Sequence, residues 1–168
     1  MSADTPDIAE LHKACREYDA RILVDCAHDF GCIGEDGLGH LGLQNIVDEV
    51  DIIVGSFSKT FAANGGFIAV KTRAAAEYLK YYGATQTFSN AMSPMQAAVV
   101  LAAFEIVDSP EGAERRKKLM DNIILMRSEI KRMGMEAMGD PSPIVPVRAG
   151  AENLARVASQ NLNPTFPG

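Results

Sequence analysis

Three short apolar runs frame this chain. Ile22-Leu23-Val24, closed by Asp25, is continuous rather than alternating, which predicts a strand over residues 21–25 that is covered on both faces. Residues 51–55 read the same way, and residues 66–71 predict a third strand. Ahead of the first run, Thr5 and Pro6 have the residue types of an N-cap and a first helical position, and Ile8, Leu11, Cys15 and Tyr18 follow at helical spacing. Helix then strand, repeated, predicts an α/β fold built on a parallel or mixed sheet.

Between the first two strands, residues 30–45 hold glycines at 31, 34, 37, 39 and 42, a turn-rich loop near the sheet edge. After the third strand a helix is predicted over residues 73–82. Ser93, Pro94 and Gln96 supply an N-cap, a proline at N1 and a capping-box glutamine for a second helix reaching about residue 107. Asp108-Ser109-Pro110 breaks it, and a long helix then runs to about residue 133 with Leu119, Ile123, Met126, Ile130 and Met133 on one stripe. Methionines at that spacing read as core filling. Residues 143–147 suggest a further strand, 151–160 a helix, and 163–168 an extended segment.

Composition narrows the classes. With 168 residues, 47% of them hydrophobic and 23% charged, the chain can bury a core as a globular protein. A net charge of −6 argues against nucleic acid as main partner. The run Arg115-Arg116-Lys117-Lys118 reads as a solvated helix face. Cys15, Cys26 and Cys32 lack paired spacing, so neither a disulfide framework nor a zinc site is supported. The polar start has no signal-peptide core, and no apolar run approaches the roughly 18 residues of a membrane span. A cytoplasmic, reducing compartment is the default expectation.

The chemistry-bearing residues lie at strand ends, where open α/β sheets bind ligands. An acid at the end of one strand, Asp25, and a lysine just past the end of the next, Lys59, can hold the two ends of a pyridoxal 5′-phosphate (PLP) ring, the acid at the ring nitrogen and the amine at the aldehyde. Ser56 and Ser58, just before the lysine, could accept the phosphate. Each residue also has an ordinary reading: Asp25 as a turn cap, Lys59 as a surface lysine, the glycines as turn formers, His28 as a core histidine. Asp25 and His28 alone are too few ligands for a metal site. His12 and His40 receive no role.

Three blocks carry a resemblance: VDCAHDFGCIGEDGLG at 24 to 39, GSFSKTFAANGGFIA at 55 to 69, and TFSNAMSP at 87 to 94. Together they resemble the α-oxoamine synthase branch of the fold-type-I PLP enzymes, which includes serine palmitoyltransferase, 2-amino-3-ketobutyrate ligase, 8-amino-7-oxononanoate synthase and 5-aminolevulinate synthase. The likeness runs from about residue 22 to residue 107. It implies a mixed, mainly parallel sheet with helices, followed by the start of a small α+β domain. It also implies that Asp25 pairs with the pyridine nitrogen, His28 contacts the ring hydroxyl, Lys59 forms the Schiff base, and Ser56 and Ser58 bind phosphate. Ser89 falls where family members often serve the neighbouring subunit's phosphate. The sequence departs from the pattern at Asp29, where the family usually has serine, at Leu38, where arginine is common, and at Ser56, where threonine is frequent.

On this resemblance the chain divides into residues 1–108, the C-terminal part of a PLP-binding large domain, 109–134, a linking helix, and 135–168, an incomplete small domain. The implied activity condenses an amino acid with an acyl thioester, with loss of carbon dioxide, to give an α-amino ketone, in a homodimer with no membrane span. Ser58-Lys59, Gly65-Gly66-Phe67 and Phe88-Ser89 tilt the pattern toward serine palmitoyltransferase. An aminotransferase is the alternative within the class, and a truncated, non-catalytic fragment the alternative outside it. Family enzymes have several hundred residues, so a complete chain of 168 would lack half the active site.

Overall fold

The structure, a computed structural model, describes residues 3–162, and the predicted extended tail at 163–168 lies outside the described residues. The elements in order are α1 (Ile8–Glu17), β1 (Leu23–Asp25), α2 (Gly39–Leu43), β2 (Ile52–Ser56), β3 (Gly66–Val70), α3 (Arg73–Tyr82), α4 (Ala84–Phe88), α5 (Pro94–Val107), α6 (Pro110–Arg132) and α7 (Glu152–Leu162). This is a mixed α/β arrangement, as the helix and strand pattern predicts.

Asp7, not Thr5, caps α1. Its carboxylate accepts the N–H of Glu10 at 2.9 Å, which satisfies one of the helix's unpaired first-turn donors. The shift by two residues has a tertiary cause. The Gln44 side chain, beside the end of α2, accepts the N–H of Ile8 at 2.8 Å and donates to the Pro6 carbonyl at 2.9 Å, holding Pro6 outside the helix.

The strands form one sheet in the order β1-β2-β3. β1 and β2 are parallel, with Leu23 opposite Ile52 and Asp25 opposite Val54. β2 and β3 are antiparallel, from Ile52 opposite Val70 to Ser56 opposite Gly66. Side chains alternate across a sheet, so Val24 and Ile53 share one face and Leu23, Asp25, Ser56 and Ile68 the other. The first face packs on a core of Ile8, Ile22, Cys26, Leu41, Ile46 and Val50. On the second, Leu23 is 55% exposed and Ile68 53% exposed. The expectation of cover on both faces is therefore corrected: among the described residues the strands are covered well on one face only.

Helices α3 and α5 fall where the pattern puts them. Thr72 caps α3 through the N–H of Ala75 at 3.2 Å, and Ser93 caps α5 through the N–H of Gln96 at 3.3 Å, with Pro94 in its first turn. The short helix α4, inside the third sequence block, has no counterpart in the pattern. On α6 the buried apolar residues are Ile123 and Ile130, while Met126 and Met133 are 52% and 58% exposed, so these methionines are not core filling. At roughly 100° per residue, Met126 and Met133 point to one side of Ile123 and Arg127 to the other. Arg127 is the residue turned inward, and its guanidinium donates to the carbonyls of Ala137, Met138 and Gly139 at 3.2, 3.0 and 2.6 Å.

The suggested strand at 143–147 is not formed. A single antiparallel bridge joins Ala137 and Val147, because Pro141, Pro143 and Pro146 remove the amide donors that a ladder needs. The basic run is also corrected at one position. Arg115 pairs with Glu111 at the surface, but Arg116 turns inward, donating to the Val107 carbonyl at 2.7 Å and to the Glu35 carbonyl of the glycine-rich loop.

Asp51 ties the start of β2 to its neighbours. Its carboxylate accepts the backbone N–H of Ile22 at 3.0 Å and a guanidinium N–H of Arg16 at 2.9 Å, and the Ile22 bond above all holds its pKa below the ordinary carboxylate value. A depressed folded-state pKa adds stability above the unfolded value of 3.8, lost as pH falls through the folded value. Asp51→Asn is expected to lower stability by about 1–3 kcal/mol at pH 7. Denaturant midpoints should show that gap shrinking below about pH 4; an unchanged gap at pH 3 rejects the account.

Candidate active site

Parallel pairing puts the carboxyl ends of β1 and β2 at one edge of the sheet, and Asp25 and Ser56 leave that edge on the same face. Asp25 caps the turn that follows it, its Oδ1 accepting the N–H of Ala27 at 2.8 Å. That satisfies the turn-cap reading with one oxygen only. The other, Oδ2, has no hydrogen-bond partner among the described residues and remains open to a ligand. The turn is itself tied to β2, since Cys26 donates its N–H to the Val54 carbonyl at 2.8 Å. His28 is exposed two residues on, and together with Asp25 it lines a cavity of about 380 Å³ whose apolar wall includes Ile8, Val24 and Ile144.

At the end of β2 the Ser56 and Ser58 hydroxyls lie 2.7 Å apart, and the Ser58 N–H points at Ser56 Oγ at 3.2 Å. Lys59 is exposed, and its ammonium has no hydrogen bond or ion pair among the described residues. Its place is fixed from both sides. Phe57 and Phe61, two residues away in each direction, are 8% and 1% exposed, so the lysine is carried outward on a turn with both feet in the core. The turn is closed by the N–H of Phe57 on the Gly65 carbonyl at 3.0 Å and the N–H of Ala63 on the Phe57 carbonyl at 2.8 Å. Gly55 is required here: a Cβ on it would lie 2.4 Å from the Phe67 ring. The lining of the Asp25 cavity does not include Ser56, Ser58 or Lys59. Ser89 is elsewhere, at the end of α4, with its hydroxyl donating to the Thr85 carbonyl.

Two features were not legible from motifs. One is an aromatic cluster in which Phe30, just after His28, stacks on Phe61 with centroids 5.4 Å apart and meets Phe67 at 4.9 Å. The Phe57/Phe61 spacing around Lys59 was the available signal. The other is His40, which pairs with Asp29 Oδ2 at 3.0 Å, while His12 lies 3.3 Å from Glu49; both histidines have partners that no motif predicts. The glycine-rich loop serves turns, with positive φ at Gly31, Gly34, Gly37 and Gly39.

Comparison with known proteins adds a lineage to this geometry. Residues 1–163 match the family "Aminotransferase class I and II". The chain belongs to that family. Within the aminotransferase class I and II family, it is 39% identical over 160 residues to an 8-amino-7-oxononanoate synthase of Petrotoga mobilis, covering 95% of this chain and 39% of that protein. It is 36% identical over 148 residues to a serine palmitoyltransferase of Sphingobacterium spiritivorum, covering 88% of this chain and 36% of the relative. The chain thus spans about two-fifths of the length of the curated relatives it matches. A solved serine palmitoyltransferase from S. paucimobilis, with a bound PLP-myriocin adduct, superposes with a TM-score of 0.84 at 24% identity, over 91% of this chain and 39% of that one. That likeness establishes a shared fold.

Cys26, directly after Asp25, is 2% exposed, and burial first, then the charges of Asp29 and Asp25, push its thiol up to about 12. Burial likewise raises the Cys32 thiol. At pH 8, iodoacetamide is expected to leave Cys26 unlabelled in the native chain and to label it in denaturant, by peptide mass mapping. The raised thiol gives a stability contribution complete below the ordinary value of 9.0 and lost as pH rises from there toward about 12. Rapid native labelling of Cys26 at pH 8 would contradict this.

Proposed function

We propose that this chain carries the acid, the lysine and the phosphate hydroxyls of a PLP-dependent acyltransferase, which condenses an amino acid with an acyl thioester and releases carbon dioxide to give an α-amino ketone. The observation that carries the reading is the placement of Asp25 and Ser56 on one face at adjacent parallel strand ends, with an unpaired Lys59 on a turn anchored by Phe57 and Phe61. The names of the relatives, 8-amino-7-oxononanoate synthase and serine palmitoyltransferase, support the reaction class.

The donor set fits PLP. Asp25 offers a carboxylate oxygen without a partner, Lys59 an unpaired amine, and the Ser56/Ser58 pair a hydroxyl proton beyond the one shared between them. When bound, PLP supplies an electron sink for a bond breaking at the substrate Cα. Asp25 Oδ2 would accept the ring N–H and so favour a protonated ring nitrogen. Lys59 Nζ would bond the aldehyde, and its free amine would take and return the proton at the substrate Cα. Ser56 and Ser58 hold the phosphate, and His28 reaches the ring hydroxyl. Ser89 serves the phosphate of a neighbouring subunit, which implies a homodimer. Residues 1–108 form part of the large domain, 109–134 the link and 135–168 part of the small domain. No helix among the described residues is long and apolar enough to cross a membrane, and we assign the protein to the cytoplasm.

Leu23 and Ile68, exposed on the sheet face that presents Asp25, favour a second reading in which the chain keeps the fold but turns over no substrate until that face is covered. Borohydride reduction of the chain with PLP, followed by peptide mapping, tests the assignment. The adduct is expected on Lys59 and absent from Lys59→Ala; an adduct persisting elsewhere in that variant overturns it. Asp25→Asn should retain the label yet lower carbon dioxide release from amino acid and acyl thioester at least about a hundredfold. Labelling without turnover selects the second reading.

A further inference from the structure

We propose that Asp29 is a positioning residue: through His40 it closes the loop from His28 to His40 and so sets where His28 stands at the cavity. The inference rests on the cofactor reading only where PLP affinity is measured. Asp29 Oδ2 accepts two hydrogen bonds from one residue, from the His40 backbone N–H at 2.8 Å and from the His40 ring Nδ1 at 3.0 Å. A carboxylate only accepts, so Nδ1 carries a proton, and Nε2 lies within hydrogen-bond distance of the Thr5 hydroxyl at 3.1 Å. The chain Asp29, His40, Thr5 thereby ties the loop's first turn to its far end and to the segment before α1.

Two details mark the contact as one the local backbone is shaped for. Gly39 has φ +68°, and a Cβ there would sit 2.5 Å from Asp29 Oδ2, so only glycine lets the carboxylate approach the His40 amide. The other oxygen, Oδ1, is buried with no partner among the described residues. His28 precedes Asp29 directly and shares its turn, in which the Asp29 carbonyl accepts the N–H groups of Cys32 and Ile33 at 3.1 and 3.0 Å. Moving Asp29 therefore moves the backbone that carries the His28 ring.

Asp29→Ser, Asp29→Asn and His40→Ala in this chain test the proposal by three readouts: histidine-ring NMR, hydrogen exchange of the His40 amide, and PLP affinity by absorbance titration. In Asp29→Ser the His28 ring resonances should move, although the Asp29 carboxylate makes no hydrogen bond to that ring. The His40 amide should exchange at least about tenfold faster, and PLP should bind about tenfold more weakly. Asp29→Asn, which keeps an acceptor for Nδ1–H, should restore affinity to within about threefold of the unaltered chain. Unchanged His28 resonances and unchanged PLP affinity in both Asp29→Ser and His40→Ala overturn the proposal. If the unaltered chain takes up no PLP, the cofactor reading fails on its own, and the His28 resonances with the His40 amide decide the role of Asp29. If Asp29→Ser does not fold, His40→Ala decides the matter by the same readouts.

Discussion

Phe30 stacked on Phe61 is the contact on which the rest of the site depends. The two rings belong to segments far apart in sequence, one just past Asp25 and His28, the other just past Lys59, and they meet at 5.4 Å. Phe104 of α5 closes on Phe61 at 4.6 Å, and Phe57 meets both, so each of the polar groups at the sheet edge is carried on a backbone with an aromatic anchor a few residues away. Aromatic burial is the large term, and the geometry of the polar groups follows from it. Position at this edge is thus a property of the core beneath more than of hydrogen bonds among the site residues, which among the described residues are those of the Ser56–Ser58 pair.

The sheet's second face is where expectation and structure part. Continuous apolar strands are expected where both faces are covered, and Leu23 and Ile68 fit that expectation in composition while remaining half exposed. The uncovered face is the one that presents Asp25 and Ser56. Apolar neighbours around a carboxylate and a hydroxyl exclude water once something lies over them, and electrostatic contacts there strengthen accordingly. The chain spans about two-fifths of its relatives' length.

Much of this was legible in the sequence because it is local. Residues 73–82 formed a helix as the pattern read, Ser93-Pro94 began a helix as capping chemistry predicts, and the break at Asp108-Ser109-Pro110 was followed by the long helix. The strand ends carrying Asp25 and Lys59 also fell in place. What escaped is decided by partners distant in the chain. Gln44 chooses Asp7 over Thr5 as the start of α1, Arg127 rotates the stripe of α6 away from its methionines, and Arg116 leaves the surface to reach the carbonyl of Glu35. His40 has no motif around it, and its role exists only because the loop returns its amide and ring to one carboxylate oxygen.

The mixed pairing of the sheet has a consequence for the order in which the chain assembles. β2 and β3 are antiparallel and joined by the short turn that bears Lys59, a local contact that forms fast, whereas β1 can join β2 only after the whole glycine-rich loop has been closed. The lysine's turn is therefore available early, and the acid arrives late. Synthesis runs the other way: the strand bearing Asp25 leaves the ribosome before the hairpin that it joins.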